Sequence, residues 1–254
     1  MREDLFGDLF DKEESYWWHV AKREMVLSLA RSAAPSNGAR PPIGVDLGCG
    51  AGYTTKVFDQ AWRMVAADVS PEALAFCKTR QLKRLCRVDM TNFALPFKTA
   101  SVDLILALDV IEHVEDDRRA LQECFRILKP GGALVITVPA FMALWSPWDE
   151  ILGHKRRYTE RGLLDTLARS GFSVRRSGYF FFSIFPAAIL FRWIKRLAGG
   201  DKENYSTDFI PLPAIVNGLL LRIGRVERWL STRCKVRFPF GLSVAALAVK
   251  KPGA

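Results

Sequence analysis

The stretch VDLGCGAGYTT, Val45 to Thr55, carries an apolar run into an aspartate and then sets glycines at 48, 50 and 52. A glycine turn between a strand and a helix is where doubly wound folds bring a cofactor against bare backbone. Spacing limits which cofactor. A dinucleotide turn needs G-x-G-x-x-G, yet Gly48 and Gly50 are followed by Tyr53, and Gly50 and Gly52 by Thr55. Asp46 also ends the strand, where a diphosphate would meet like charge, so a cofactor with a cationic end suits this loop better. Asp68 closes the next apolar run 22 residues on, where a carboxylate accepts both ribose hydroxyls. Asp89, in VDM, closes a third run and is suited to accept from an adenine amine while Met90 packs on its ring.

Only three histidines occur. His113 follows an apolar run in DVIEHV, and His154 lies in LWSPWDEILGHKRRYTERGLL. Either imidazole is a candidate base or acceptor clamp; a packed or capping histidine is the competing reading. Trp145, Trp148, Asp149, His154, Arg156, Arg157 and Tyr158 together could wall an acceptor pocket. The alternative is a solvated basic loop capped by Thr159 ahead of a helix. The five cysteines contain no C-x-x-C, and no carboxylate–histidine cluster has ligand spacing, so no metal is expected.

These residues need a frame, and the pattern supplies one. Strand patterns at 43–47, 63–68, 84–88, 102–108 and 132–138 alternate with helix patterns at 53–61, 71–81, 117–128 and 160–170. Near-continuous apolar strands spaced by helices argue a parallel sheet covered on both faces. A helix over 15–33 precedes them, and strands at 171–180 and 243–251 should finish the sheet. The 254 residues fit one domain with an appendage. The acidic start MREDLFGDLFDKEE lacks the charge pattern of a signal peptide, and no run reaches the roughly 20 apolar residues that span a bilayer. With an odd cysteine count, a cytoplasmic protein with reduced thiols is expected.

In order and spacing, these residues resemble the class I S-adenosylmethionine-dependent methyltransferases, whose motif D-x-G-x-G-x-G is matched by Asp46-Leu47-Gly48-Cys49-Gly50-Ala51-Gly52. The likeness continues through LPFKTASVDLILALDVIEHVEDD (95–117) and RILKPGGALVITVP (126–139). YWWHVAKRE is similar to an H-W-W-F-x-A-R-R segment of one bacterial, type 11-like subgroup, with His19 replacing an aromatic and Lys22 an arginine. The subgroup's D-E-x-x-x-H-x-R-R-Y stretch is matched by Asp149-Glu150, His154 and Arg156-Arg157-Tyr158, and its ending by FPFGLSVAALAVKK. The resemblance implies an α/β, Rossmann-like fold: a seven-stranded, mostly parallel sheet with its last strand antiparallel, plus a helical insertion. It implies an S-adenosyl-L-methionine site built from Asp46, Gly48, Gly50, Gly52, Asp68, Val69, Asp89, Met90, Leu108 and Asp109. Trp18 would pack over the methionine moiety, with Lys22 or Arg23 facing its carboxylate; lysine offers a point charge where arginine offers a fork. His154 and His113 are the catalytic candidates, and Trp145, Trp148, Arg157 and Tyr158 the acceptor-binding ones.

The expected division is an N-terminal helical cap (1–40), a cofactor-binding core (41–180 and 238–254) and a basic, apolar helical insertion (181–237). Between Arg175 and Arg237 stand twelve Lys/Arg against four Asp/Glu, most of the chain's net +10. AIVNGLLLRIGRVERWL (214–230) sets Ile215, Leu219, Ile223, Val226 and Leu230 near one helical stripe, with Arg222, Arg225 and Arg228 off it. ILFRWIKRL (189–197) mixes the same residue types. Such helices lie on anionic membrane surfaces without spanning them; a lid over an apolar acceptor or a homodimer contact is the alternative. Nucleic acid is disfavoured, because the cations are embedded among aliphatic residues rather than interleaved with exposed aromatics. The expected function is methyl transfer to a hydroxyl of a small-molecule, glycan or lipid-linked acceptor, peripheral to the inner membrane face. Carbon, nitrogen or sulfur methylation, intramolecular displacement, or a non-catalytic docking role remain as alternatives.

Overall fold

A computed structural model describes residues 5–33, 41–92, 94–190 and 211–251. Seven strands form one sheet in the order β3-β2-β1-β4-β5-β7-β6: β1 Ile43–Leu47, β2 Arg63–Asp68, β3 Leu85–Arg87, β4 Val102–Leu108, β5 Leu128–Pro139, β6 Ser173–Phe180 and β7 Ser243–Val249. β1 pairs in parallel with β2 and β4, and β4 in parallel with β5. β7 runs antiparallel between β5 and β6. The sheet has the expected form, a mostly parallel array with an antiparallel last strand.

Side-chain alternation sorts the strands onto two layers. Leu104 and Leu106 of β4, Val135 of β5 and Leu247 of β7 face a cluster built on α2 (Trp17–Arg31), through Trp17, Ala21, Met25, Val26 and Leu29. Ile105, Leu134, Ile136 and Ala246 face the opposite cluster, covered by Leu121 and Cys124 of α5 (Asp117–Ile127) and by Leu163 and Leu167 of α7 (Glu160–Arg169). The N-terminal helix is thus part of the sheet's covering layer. Two shorter helices follow the first strands, α3 (Tyr53–Phe58) after β1 and α4 (Pro71–Thr79) after β2. Ser70 caps α4 by accepting from the Ala73 amide, with Pro71 at its first position.

Most differences from expectation are at element ends, but among the described residues two helices lack any sequence forecast. The helix expected over 15–33 is α2, preceded by a separate α1 (Leu5–Lys12); Tyr16, extended at φ −71°, ψ 128°, breaks the two apart. α6 (Pro147–Leu152) is a short helix closed by a capping box at Ser146 and Asp149. From the insertion, α8 (Ala214–Thr232) lies against α2. Asn217 of α8 accepts from the Trp17 amide at 2.9 Å and donates to the Ser15 carbonyl at 3.0 Å. Buried Glu227 takes the Phe182 and Ser183 amides at 3.0 and 2.7 Å. Most of ILFRWIKRL lies outside the described residues.

Candidate functional site

The carboxyl edge of the parallel strands gathers the residues expected to do chemistry. Gly48, Gly50 and Gly52 all hold positive φ, at 68°, 55° and 86°. Space is as short as conformation allows: a Cβ on Gly48 would lie 2.5 Å from Val110 Cγ2, and one on Gly52 2.6 Å from Cys77 Sγ. The loop folds back on β2, with the Gly48 and Cys49 amides donating to the Ala67 carbonyl at 2.7 and 3.1 Å.

Asp46 is buried beneath this loop, 2% exposed, and accepts from the Thr55 hydroxyl at 2.5 Å. Burial pushes its carboxyl up to about 7. It therefore supports the turn from below rather than facing an open cleft. Asp68 accepts the Gly50 amide on one oxygen and the Ser70 amide on the other, each at 3.0 Å. Each oxygen keeps acceptor capacity for a ribose hydroxyl. Burial raises this carboxyl above its ordinary range. Beside it Val69 is exposed, and Asp89 turns on itself to accept from the Thr91 amide and hydroxyl at 2.8 and 2.7 Å, with Met90 buried.

The loop also has a cover that sequence reasoning missed. Glu13, 8% exposed, accepts the Tyr53 amide at 2.9 Å at the start of α3. Burial pushes its carboxyl up to about 7, opposed by that amide and by Arg80 and Arg23. Arg80 ties α4 to the loop and to α1 through the Ala51 and Phe10 carbonyls, at 2.9 and 2.7 Å. The Tyr53 ring lies between the Arg23 and Arg80 guanidiniums, 4.5 and 4.9 Å away. In the sequence Glu13 was one acid in an acidic leader; nothing local distinguishes it.

Lys22 and Trp18 reach the same edge from α2. Lys22 pairs with Asp109, whose other oxygen accepts from the Thr137 hydroxyl at 2.8 Å. Burial alone would raise the Asp109 carboxyl, but Lys22 and Thr137 hold it below the usual range. Asp109 has φ 55°, a conformation aspartate tolerates better than most residues. Leu108, before it, packs partly buried against the α2 cluster. Trp18 stacks on Phe181 with centroids 4.0 Å apart, and the Lys22 ammonium is 5.8 Å from its ring.

The two histidine candidates, 41 residues apart in sequence, are brought together: their rings lie 4.7 Å apart at 74°. His154 bonds through Nδ1 to Asp149 Oδ1 at 2.8 Å. Asp149 is fully buried and also receives Arg157 in a fork, Nε at 2.8 Å and Nη2 at 3.0 Å. Burial would raise Asp149; the His154 and Arg157 bonds outweigh it and hold its carboxyl well below the usual range. Burial first, then the neighbouring His154, pushes His113 down to about 4. Between them Glu112, also fully buried, has neither carboxylate oxygen in a hydrogen bond, and burial drives its carboxyl well upward. The expectation that no compact carboxylate–histidine cluster exists is therefore corrected: Glu112, His113 and His154 bring ligand atoms within 4.8 Å of one another. Glu112 was legible in DVIEHV, but its histidine partner came from a distant loop.

Two acceptor-wall candidates are corrected as well. The Tyr158 hydroxyl is committed to Asp117 at 2.7 Å on a ring 6% exposed. Arg157 is spent on Asp149 and on the Ala140 carbonyl at 3.2 Å. Trp145 and Trp148 are half-buried around α6 and keep exposed surface.

The donor set fits a sulfonium nucleoside better than a dinucleotide. Asp68 is free to take ribose hydroxyls, and the start of α3, where a diphosphate would rest, is already filled by a carboxylate. Residues 45–136 match a family model described as a methyltransferase domain. A probable S-adenosylmethionine-dependent methyltransferase of Mycolicibacterium smegmatis is 32% identical over 169 residues, covering 64% of this chain and 61% of that protein. The chain thus spans about three fifths of that relative's length. The methyltransferase of a Haloferax volcanii complex with the Trm112 methyltransferase activator superposes with a TM-score of 0.61 at 20% identity, over 96% of this chain and 94% of its own. The N-methyltransferase NodS of Bradyrhizobium japonicum, solved with S-adenosylhomocysteine, gives 0.51 at 20% identity, over 65% and 81%. Residues 45–136 thus match a methyltransferase domain, and the seven-stranded sheet that carries them has the fold of the class I S-adenosylmethionine-dependent methyltransferases.

Proposed function

We propose that this chain methylates a hydroxyl of a small-molecule, glycan or lipid-linked acceptor delivered at an anionic membrane surface. The observation that carries the cofactor half of this reading is the Glu13 carboxylate on the Tyr53 amide, which reserves the glycine loop for a ligand without a diphosphate. S-adenosylmethionine, when bound, supplies a methyl already activated on sulfur. What remains for the chain is to orient the acceptor, exclude water and accept a proton. Asp68 would hold the ribose, Trp18 and the Lys22–Asp109 pair would border the methionine end, and the His113–His154 pair would serve an acceptor hydroxyl as base or clamp. Half-buried Trp145 and Trp148 remain as acceptor walls.

The membrane half rests on α8. Part of the stripe marked in the sequence points outward, with Ile215 87% exposed, Leu219 57% and Val226 56%, and Trp229 beside them at 54%, while Ile223 and Leu230 are half-buried. Arg225 and Arg228 fold onto Glu24 of α2, at 2.7 and 3.7 Å, while Arg222 is exposed. Arg175, Arg176, Lys235 and Arg237 line a groove along β6. Among the described residues no helix is long and apolar enough to cross a membrane, so the reading is surface contact through the insertion (181–237), with the N-terminal helices and the core holding the cofactor.

Two measurements test this. Calorimetry with S-adenosylhomocysteine should give binding and NAD none; the reverse removes the cofactor reading. Co-sedimentation with phosphatidylglycerol vesicles at low salt should exceed that with neutral vesicles and fall in Leu219→Glu/Val226→Glu; equal pelleting with both lipids removes the membrane half. Mass analysis of extracts incubated with the enzyme identifies the acceptor by one added CH2 unit.

A further inference from the structure

We propose that Glu112, His113 and His154 form a three-ligand site for a divalent first-row transition metal. Each offers one ligand atom, and the three atoms lie within 4.8 Å of one another. Metal bonds of about 2.0–2.2 Å at tetrahedral angles set ligand atoms roughly 3.3–3.6 Å apart, so closing the site takes side-chain movements of about an ångström.

Two further features argue for a cation here. Glu112 is 0% exposed with both oxygens outside any hydrogen bond. A carboxylate buried in that way is strongly disfavoured unless a cation or donor meets it. His154 is oriented from behind: Asp149 holds Nδ1 at 2.8 Å, which turns Nε2 toward Glu112 Oε1, 4.0 Å away. A carboxylate behind a ligand imidazole fixes its tautomer and raises its basicity as a ligand. Asp149 is held in turn by Ser146 and Arg157. The 3-10 turn after β4 supplies Glu112 and His113, and the loop after α6 supplies His154; an ion would bind the two together.

Two imidazoles with one carboxylate suit zinc, cobalt or manganese better than magnesium or calcium, which prefer all-oxygen shells. Three protein ligands leave positions for water or for an acceptor oxygen. That last role rests on the methyl-transfer reading; the site itself does not.

The test uses the full chain with Cys234→Ser, to remove an exposed thiol, stripped with chelator. Zinc is titrated by calorimetry, and cobalt by visible absorption. The expected result is one equivalent of metal, bound at least about tenfold more weakly in Glu112→Gln and His154→Gln, with Asp149→Asn weaker by about 10- to 100-fold. S-adenosylhomocysteine affinity, measured on the same samples, reports folding and the cofactor site independently. Failure of the parent chain to take zinc or cobalt, or equal binding by Glu112→Gln, overturns the metal site. Retained S-adenosylhomocysteine binding in that case leaves the methyltransferase reading standing.

Discussion

Glu13 and Tyr53 meet across 40 residues of sequence, the carboxylate accepting the amide at 2.9 Å. The contact puts a carboxyl oxygen on an amide where the first backbone N–H groups of a helix concentrate positive potential. A phosphate is excluded from that position, and the acidic leader is fastened to the cofactor loop.

The same contact has a pH signature. Burial pushes Glu13 up to about 7 from an ordinary value of 4.5. The folded state therefore holds a proton that the unfolded chain releases between those values. Its contribution is full below pH 4.5 and is lost as pH rises through 7. Per group the slope cannot exceed about 1.4 kcal/mol per pH unit. Asp46, pushed up to about 7, acts with the same sign. Urea midpoints of the cofactor-free protein at pH 5 and 7 should fall more in the parent than in Glu13→Gln. Identical falls would show that Glu13 is not protonated in the folded state.

Asp68 is the residue whose loss should hurt cofactor binding most directly. Its two oxygens hold the Gly50 and Ser70 amides and would meet the ribose as well. Hydrogen bonds to a charged group contribute about 1.5–3 kcal/mol, so Asp68→Ala should weaken S-adenosylhomocysteine binding by at least about tenfold. Asp89→Ala should do less, since that carboxylate is already turned onto Thr91. Calorimetry on the two variants decides the order, and a larger loss at Asp89 would reverse the assignment.

Much of this frame was legible in the sequence for a physical reason. Strands buried on both faces are nearly all apolar, so β1, β2 and β4 announce themselves, and the glycines mark a turn no side chain fits. What was hidden depends on distance along the chain. Glu13 reads as a surface acid until α1 folds over the loop, and Tyr158 reads as a pocket wall until its hydroxyl finds Asp117. Glu112 sat in a quoted motif, but its meeting with His154 needs a loop 42 residues away to return to the sheet edge. α6 is one short turn of helix, too brief to show periodicity.

Gly52 and Gly131 separate two costs that are usually confounded. Both have positive φ, at 86° and 82°. A Cβ on Gly131 meets nothing within 4 Å, whereas on Gly52 it falls 2.6 Å from Cys77 Sγ and 3.0 Å from Leu82 Cδ1. Gly131→Ala should lose only the left-handed penalty, about 1–2 kcal/mol. Gly52→Ala adds overpacking of about 1–3 kcal/mol and displaces the cofactor loop. Chemical denaturation should rank Gly52→Ala as the less stable, and only that variant should lose S-adenosylhomocysteine affinity. Equal stabilities would mean the Cys77 side yields freely.

The Asp149–Arg157 fork carries the last prediction. Both side chains are withdrawn from water, 0% and 6% exposed, and the guanidinium meets the carboxylate through two bonds. Removing one partner strands the other charge, which costs about 3–5 kcal/mol, whereas replacing both with apolar groups of similar volume is often far less harmful. Asp149→Leu should be the worse single variant, because it also releases the Ser146 cap and His154. Arg157→Met strands a carboxylate that His154 and Ser146 still hold. The double variant should therefore be less destabilised than the two singles added together, by about 1–3 kcal/mol. Urea denaturation of the four proteins closes this cycle. Strict additivity would mean that the fork holds little free energy and that His154 is oriented by its own loop instead.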